Sequence, residues 1–203
     1  MDKLILYLLR HGESKANADR ISAARRIDPP LTERGIKQAI MQAEALKEIE
    51  FSSIYTSPLI RAKHTANIIN TYHNLDIKTI DYLYEVDVGD LDAEDQKDPK
   101  KWSIYLDIIN MWDQNLKHIA FPNGEALNDV ERRLNTFIKN LETEDSKPIL
   151  VVGHCLLFMA FFWLFCKNPK ERIYENCMGR CHFSVVSKDT DGFNILKYNV
   201  SPE

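Results

Sequence analysis

The sequence predicts a three-layer α/β/α protein: a mostly parallel sheet with helices on both faces and a small helical lid insertion. Three observations carry that expectation. Leu4 to Leu9 is an apolar run of strand formers that stops abruptly at Arg10-His11-Gly12. Pro148 to Val152 is a second such run, and it stops at Gly153-His154. Unbroken apolar runs of this length suit strands covered on both faces. Third, strand, loop and helix follow one another twice before the chain reaches Leu75. Ligands of open α/β sheets bind where loops leave the carboxyl ends of strands, so the histidines ending the two runs are expected to face one crevice.

The elements follow in order. Gly12 allows a sharp backbone turn after the first strand. Asp28-Pro29-Pro30 makes a turn, Thr32 suits a helix N-cap, and Ala39, Ile40, Ala43, Leu46 and Ile49 recur at helical spacing as far as about Glu50. Phe51 to Tyr55 alternates as a strand, Thr56-Ser57-Pro58 breaks it, and Leu59 to Tyr72 reads as a helix with Ala62, Thr65, Ala66 and Ile69 on one face. Ile77 to Ile80 forms a third, edge-like strand. Residues 91–120 change character: charged, interrupted at Pro99, and dotted with Trp102, Tyr105, Met111 and Trp112, they read as the lid. Pro122-Asn123-Gly124-Glu125 is a tight turn before a helix over Ala126 to Leu141. A buried helix from Cys155 to Cys166 and a hairpin, Cys181 to Ser187 and Phe193 to Asn199 around Asp191-Gly192, close the chain.

Length and composition narrow the function. A chain of 203 residues suits one domain, 1–203, with the insertion at about 91–120. The formal net charge of −4 and the lack of a dense basic tract argue against nucleic acid and acidic membranes as partners. The N-terminus lacks a signal peptide's order of parts, and Cys155 to Cys166 is too short to span a bilayer, so the expected location is cytoplasmic, as monomer or homodimer. Cys155, Cys166, Cys177 and Cys181 do not match a zinc-knuckle spacing, so reduced buried thiols are expected and no metal.

Five residues carry the chemistry, with two more beside them. Arg10 and His11 arrive together at a strand end, with Ser14 and Asn17 placed to offer polar hydrogens to an anion held in the loop. Arg61 follows the second strand end, and two guanidiniums facing one crevice suit an oxyanion with several equivalent oxygens. His154 adds a second imidazole. Glu85, an acid between apolar residues beside a glycine turn, is placed to deliver a proton to a leaving group.

The ordered set LLRHGES with Asn17 close behind, DPPLTERG, IYTSPLIRAKHTA, LYEVDVG, PNGE and VVGH resembles the histidine phosphatase superfamily, the phosphoglycerate mutase-like fold. The resemblance implies a metal-independent phosphatase without cofactor, acting on a small phosphomonoester. His11 would become a phosphohistidine, while Arg10, Arg61 and His154 would surround the phosphoryl group and Asn17 would donate a further hydrogen bond. Glu85 would serve as general acid and then base. Elementary chemistry agrees: a phosphoryl group in flight spreads charge over its oxygens, so fixed guanidiniums and a protonated His154 could replace a metal ion. His11 must attack as neutral imidazole, which Arg10 favours, and its other ring nitrogen needs an acceptor such as the Gly12 carbonyl.

Three departures from the family pattern bear on the pocket. Arg20 to Arg26 carries Ala23 and Ala24 where a glycine-containing loop is common; Leu91-Asp92-Ala93 replaces a frequent Trp-Glu-Gly; and Cys155 follows His154. Mutase-type phosphoryl transfer is the alternative, as is a non-catalytic phosphate-binding protein. Asp92, Glu94, Asp95 and Asp98 at the start of the insertion disfavour a second phosphate, and Trp102, Tyr105 and Trp112 would pack either on the organic part of the substrate or on one another.

Overall fold

The computed structural model describes residues 4–141 and 147–202. Strand β1 (Ile5–Arg10) leads into a short helix α1 (Lys15–Asp19) and then α2 (Glu33–Leu46), β2 (Ser53–Thr56), α3 (Ile60–Ile69) and β3 (Ile77–Thr79). After the insertion helix α4 (Pro99–Asp113) come α5 (Leu127–Lys139), β4 (Ile149–Gly153), α6 (Cys155–Phe165), β5 (Phe183–Asp189) and β6 (Gly192–Val200). The strands form one sheet in the order β3-β2-β4-β1-β5-β6, parallel from β3 to β1 and antiparallel through β5 and β6. β3 is the edge strand that the sequence suggests.

The two apolar runs are buried on both sides. Leu6 and Leu8 of β1 and Ile149 and Val151 of β4 face a core shared with α4, α5 and α6, whereas Leu9, Leu150 and Val152 face one shared with α2 and α3. Successive strand residues point to opposite faces, so helices on both sides demand apolar residues throughout.

Local chemistry sets the helix ends. Thr32 Oγ1 accepts from Gly35 N at 3.0 Å and caps α2. That helix ends at Leu46 rather than near Glu50, and the second strand starts at Ser53 rather than Phe51, because Ile49 N turns back onto Leu46 O and Phe51 N onto Ile49 O. Beyond Ile69 the helix tightens into a short 3₁₀ turn over Asn70–Tyr72, where Asn70 bonds both the N–H and the C=O of Leu75. Asp98 caps α4 with Pro99 in the first turn. Among the described residues no helix is long and apolar enough to cross a membrane.

Candidate active site

The register of β1 on β4 builds the centre of the site. Arg10 lies opposite Gly153, and His11 N donates to Gly153 O at 3.0 Å, so the residues that follow emerge side by side. His11 and His154 stand with ring centroids 5.2 Å apart at 60°. Gly12 serves close approach rather than a strained turn: a Cβ there would lie 2.6 Å from Gly35 O of α2. Its N–H donates to Thr65 Oγ1, locking the loop to α3.

Both histidines are buried and held neutral. Burial first, then Arg61 and Arg10, pushes His11 well below its ordinary value, against the Gly12 hydrogen bond. Its Nδ1 lies 2.7 Å from Gly12 O, which fixes the Nδ1–H tautomer and leaves the lone pair on Nε2. Burial, Arg61 and His11 likewise drive His154 well down. That burial and those neighbouring cations oppose the protonated His154 expected from sequence; its Nε2 shares a hydrogen bond with Ser57 Oγ at 2.7 Å, and its buried Nδ1 has no partner among the described residues.

The two arginines differ in their attachments. Arg10 Nη1 donates to Met178 O, while its buried Nε has no partner among the described residues. Arg61 lies behind the cavity, only 1% exposed, bonded through Nη1 to Asp28 (3.2 Å) and through Nη2 to the carbonyls of Ala23 and Ala24 (2.9 and 3.0 Å). It therefore also shapes the Ala23-Ala24 loop. Asp92 completes that loop by accepting from the N–H groups of Ala24, Arg25 and Arg26. Ala93, where the resemblance expects glycine, takes a left-handed φ of 69°.

Ser14 and Asn17 form the capping box of α1: Asn17 N donates to Ser14 Oγ and Ser14 N to Asn17 Oδ1. Ser14 is buried and caps this turn instead of lining the cavity, which corrects its expected place. Asn17 does line it, and with Oδ1 engaged its amide retains NH₂ donors for a ligand.

Glu85 also lines the cavity, where its Oε1 accepts from Val86 N and Leu157 N (2.9 and 2.8 Å) and its Oε2 from Leu156 N (3.2 Å), at the start of α6. Three residues missed from sequence clamp its loop. Arg25 Nε donates to Glu85 O at 2.8 Å, and Arg133 Nη1 donates to Tyr82 O and Tyr84 O. Glu125 accepts from both arginines and from Asp87 N. The PNGE turn belongs to the same device: at Gly89, with φ +55°, a Cβ would lie 1.9 Å from Pro122 O. Arg180, ion-paired with Glu13 at 3.0 Å, is another missed cation, and its charge acts on His11. It was obscured by its setting among cysteines, read only for metal spacing.

Between these groups lies a cavity of about 200 Å³. Arg10, His11 and Asn17 line it together with Leu91, Trp102, Tyr105 and Tyr174, and so do Glu94, Asp95 and Lys101. Trp102 and Tyr105 stack at 5.0 Å. Trp112 instead is buried in the core, its Nε1 donating to Ile119 O and its ring against Phe121. Cys166 and Cys181 are buried thiols pushed up to about 12 by burial, as expected, whereas Cys155 and Cys177 line the cavity. Among the described residues no three His, Cys, Asp or Glu side chains gather as a metal site requires.

Paired imidazoles at parallel strand ends, with buried guanidiniums near them and the Glu85 carboxyl in the wall of the same cavity, make up the candidate site of an α/β protein. The model of the histidine phosphatase superfamily (branch 1) matches residues 6–201, and the chain belongs to that family as a phosphatase. It is 34% identical over 193 residues to an uncharacterised phosphatase, PhoE, of Bacillus subtilis, covering 93% of each chain. It is 32% identical over 150 residues to the adenosylcobalamin/alpha-ribazole phosphatase of Escherichia coli, covering 73% of this chain and 72% of the relative. The crystal structure of the alpha-ribazole phosphatase from Shigella flexneri matches with a TM-score of 0.77 at 27% identity, over 97% of this chain and 96% of that one.

Proposed function

We propose that the protein hydrolyses a small phosphomonoester without a metal ion, through a phosphohistidine on His11. The observation that carries this reading is the state of the His11 ring, neutral among cations with Nδ1–H tied to Gly12 O, so that Nε2 is the free nucleophile. Nε2 attacks phosphorus, the bond to the leaving oxygen breaks, and Glu85 supplies the proton that oxygen takes up. Water then attacks the phosphohistidine, gives its proton to Glu85, and releases phosphate. Oε2 of Glu85, with its longer 3.2 Å contact, is the oxygen best placed to carry the proton.

Arg10, Arg61, Asn17 and the His154 ring surround the transferred group, and the unpartnered Arg10 Nε and His154 Nδ1 are unmet demands that an oxyanion answers. Charge spread over three equatorial oxygens is stabilised by guanidiniums that are already in place. Ser14 acts through the loop it caps. Residues 91–120 serve as lid of the single domain.

The leaving group is small and partly apolar, because Leu91, Trp102 and Tyr105 face it. Glu94 and Asp95 outnumber Lys101 where the insertion lines the cavity, which opposes a second phosphate and favours phosphatase over mutase. The named relatives suggest alpha-ribazole phosphate and phosphoserine for a substrate panel, beside sugar phosphates, glycerates and nucleotides. With p-nitrophenyl phosphate in excess chelator, the wild type is expected to turn over and His11→Ala to fold normally with essentially no activity. Retained activity in His11→Ala, or isomerisation of 3-phosphoglycerate without net phosphate release, overturns the reading.

A further inference from the structure

We propose that Cys155 and Cys177 are a reversible dithiol–disulfide pair in the wall of the catalytic cavity, and that closing the disulfide tightens the site's hold on phosphate. The first residue of α6 supplies Cys155, and Cys177 follows the short turn Ile173–Asn176 that packs on that helix. Their Sγ atoms lie 2.6 Å apart, and a disulfide needs about 2.05 Å, so bonding requires a movement of roughly half an ångström. Both thiols line the cavity, where a small oxidant reaches them, while Cys166 and Cys181 are buried elsewhere.

The setting also activates one of the two. The Cys155 hydrogen bond, with the Arg10 guanidinium 3.8 Å away, lowers Cys177 to about 6 against the effect of burial, whereas Cys155 is raised. Cys177 is thus the attacking thiolate and Cys155 the resolving thiol. With a low-molecular-weight disulfide as oxidant, the Cys177 thiolate attacks one of its sulfurs, its S–S bond breaks, and one small thiolate leaves and is protonated. Cys155 then gives up its proton and attacks the Cys177 sulfur, expelling the second small thiol. Two protein thiols are oxidised and one small disulfide is reduced to two thiols.

The consequence for binding is electrostatic and rests on the proposed role of Arg10 in holding phosphate. In the reduced protein the Cys177 thiolate shares Arg10 with any incoming anion. The disulfide sulfur is neutral, and because so little moves the cavity keeps its shape.

The test equilibrates the whole protein in oxidised and reduced glutathione, alkylates remaining thiols, maps the cysteines by mass spectrometry and titrates each state with inorganic phosphate in a calorimeter. The expected result is a Cys155–Cys177 link that dithiothreitol reverses, with Cys166 and Cys181 still thiols, and a phosphate Kd lower by about threefold or more when oxidised. Cys177→Ser lacks the anion altogether, so it should bind phosphate as the oxidised wild type does, whatever the redox buffer. Two free thiols throughout, or glutathione on either cysteine without the link, overturns the pair. A disulfide that leaves Kd unchanged or weaker overturns the tightening. Phosphate binding in neither state contradicts the phosphate site and the tightening together, while the thiol map decides the pair on its own.

Discussion

His11 and His154 stand at the carboxyl ends of β1 and β4, buried, with strand register dictating their separation. Trp102 and Tyr105, which also line the cavity, stand instead on an insertion joined to the body through contacts such as Ser22 N to Glu94 O and Gln96 N to Arg20 O, and through a half-exposed Lys101–Glu94 ion pair. An exposed pair of that kind contributes little, on the order of 1 kcal/mol or less. The contrast separates two tasks. On the proposed function, the sheet holds the groups that act on phosphorus, where small displacements are costly, and the insertion shapes what the leaving group meets.

The sharpest way to break this division is at Glu85, whose carboxyl has a proposed part in the chemistry although its loop borders the insertion. Glu85→Gln keeps one acceptor oxygen for Val86 N and Leu157 N, gives up the longer bond from Leu156 N, and should lower kcat by about 10²–10⁴-fold with KM little changed, measured on an alkyl phosphate whose leaving group needs a proton. An unchanged kcat would move the acid role elsewhere.

A second test reads burial through pH. The unfolded chain binds a proton on each histidine near pH 6.5, whereas folded His11 and His154 bind one only well below that. Their contribution to stability is therefore complete above pH 6.5 and is lost as pH falls, by up to about 1.4 kcal/mol per pH unit for each histidine. Urea unfolding at pH 7.5 and 5.5 should show the loss, and His11→Gln or His154→Gln should each lessen it. A flat profile would mean that the rings are not buried as described.

The smallest effect belongs to the insertion. Trp102→Ala should raise KM for an aryl phosphate by about tenfold or less and leave kcat within about twofold, since the ring meets the leaving group and not the phosphoryl group. A collapse of kcat would tie the insertion to the chemistry.

How far these features can be read from sequence depends on the range of the interaction behind them. β1 and β4 were legible because burial on both faces leaves unbroken apolar runs, His11 and His154 because each directly follows a strand end, and Arg61 because it opens the helix after the second strand. The Glu85 clamp was not. Arg25 and Glu125 lie 100 residues apart, and no periodicity records that they meet. The Cys155–Cys177 pair is likewise a product of α6 packing on the Ile173–Asn176 turn, and their spacing in the chain gave no hint of it. Gly12 was legible as a glycine, but its reason, the close approach of Gly35, is tertiary.

The central claim is that neutral His11 receives the phosphoryl group on Nε2. Rapid acid-free quenching of the Glu85→Gln variant with a substrate carrying an activated leaving group, followed by peptide mapping, tests it most directly. The account predicts one phosphoryl group on His11, stable in alkali and released in acid; a phosphoryl group on any other residue, or product formed with no phosphoenzyme, would contradict it.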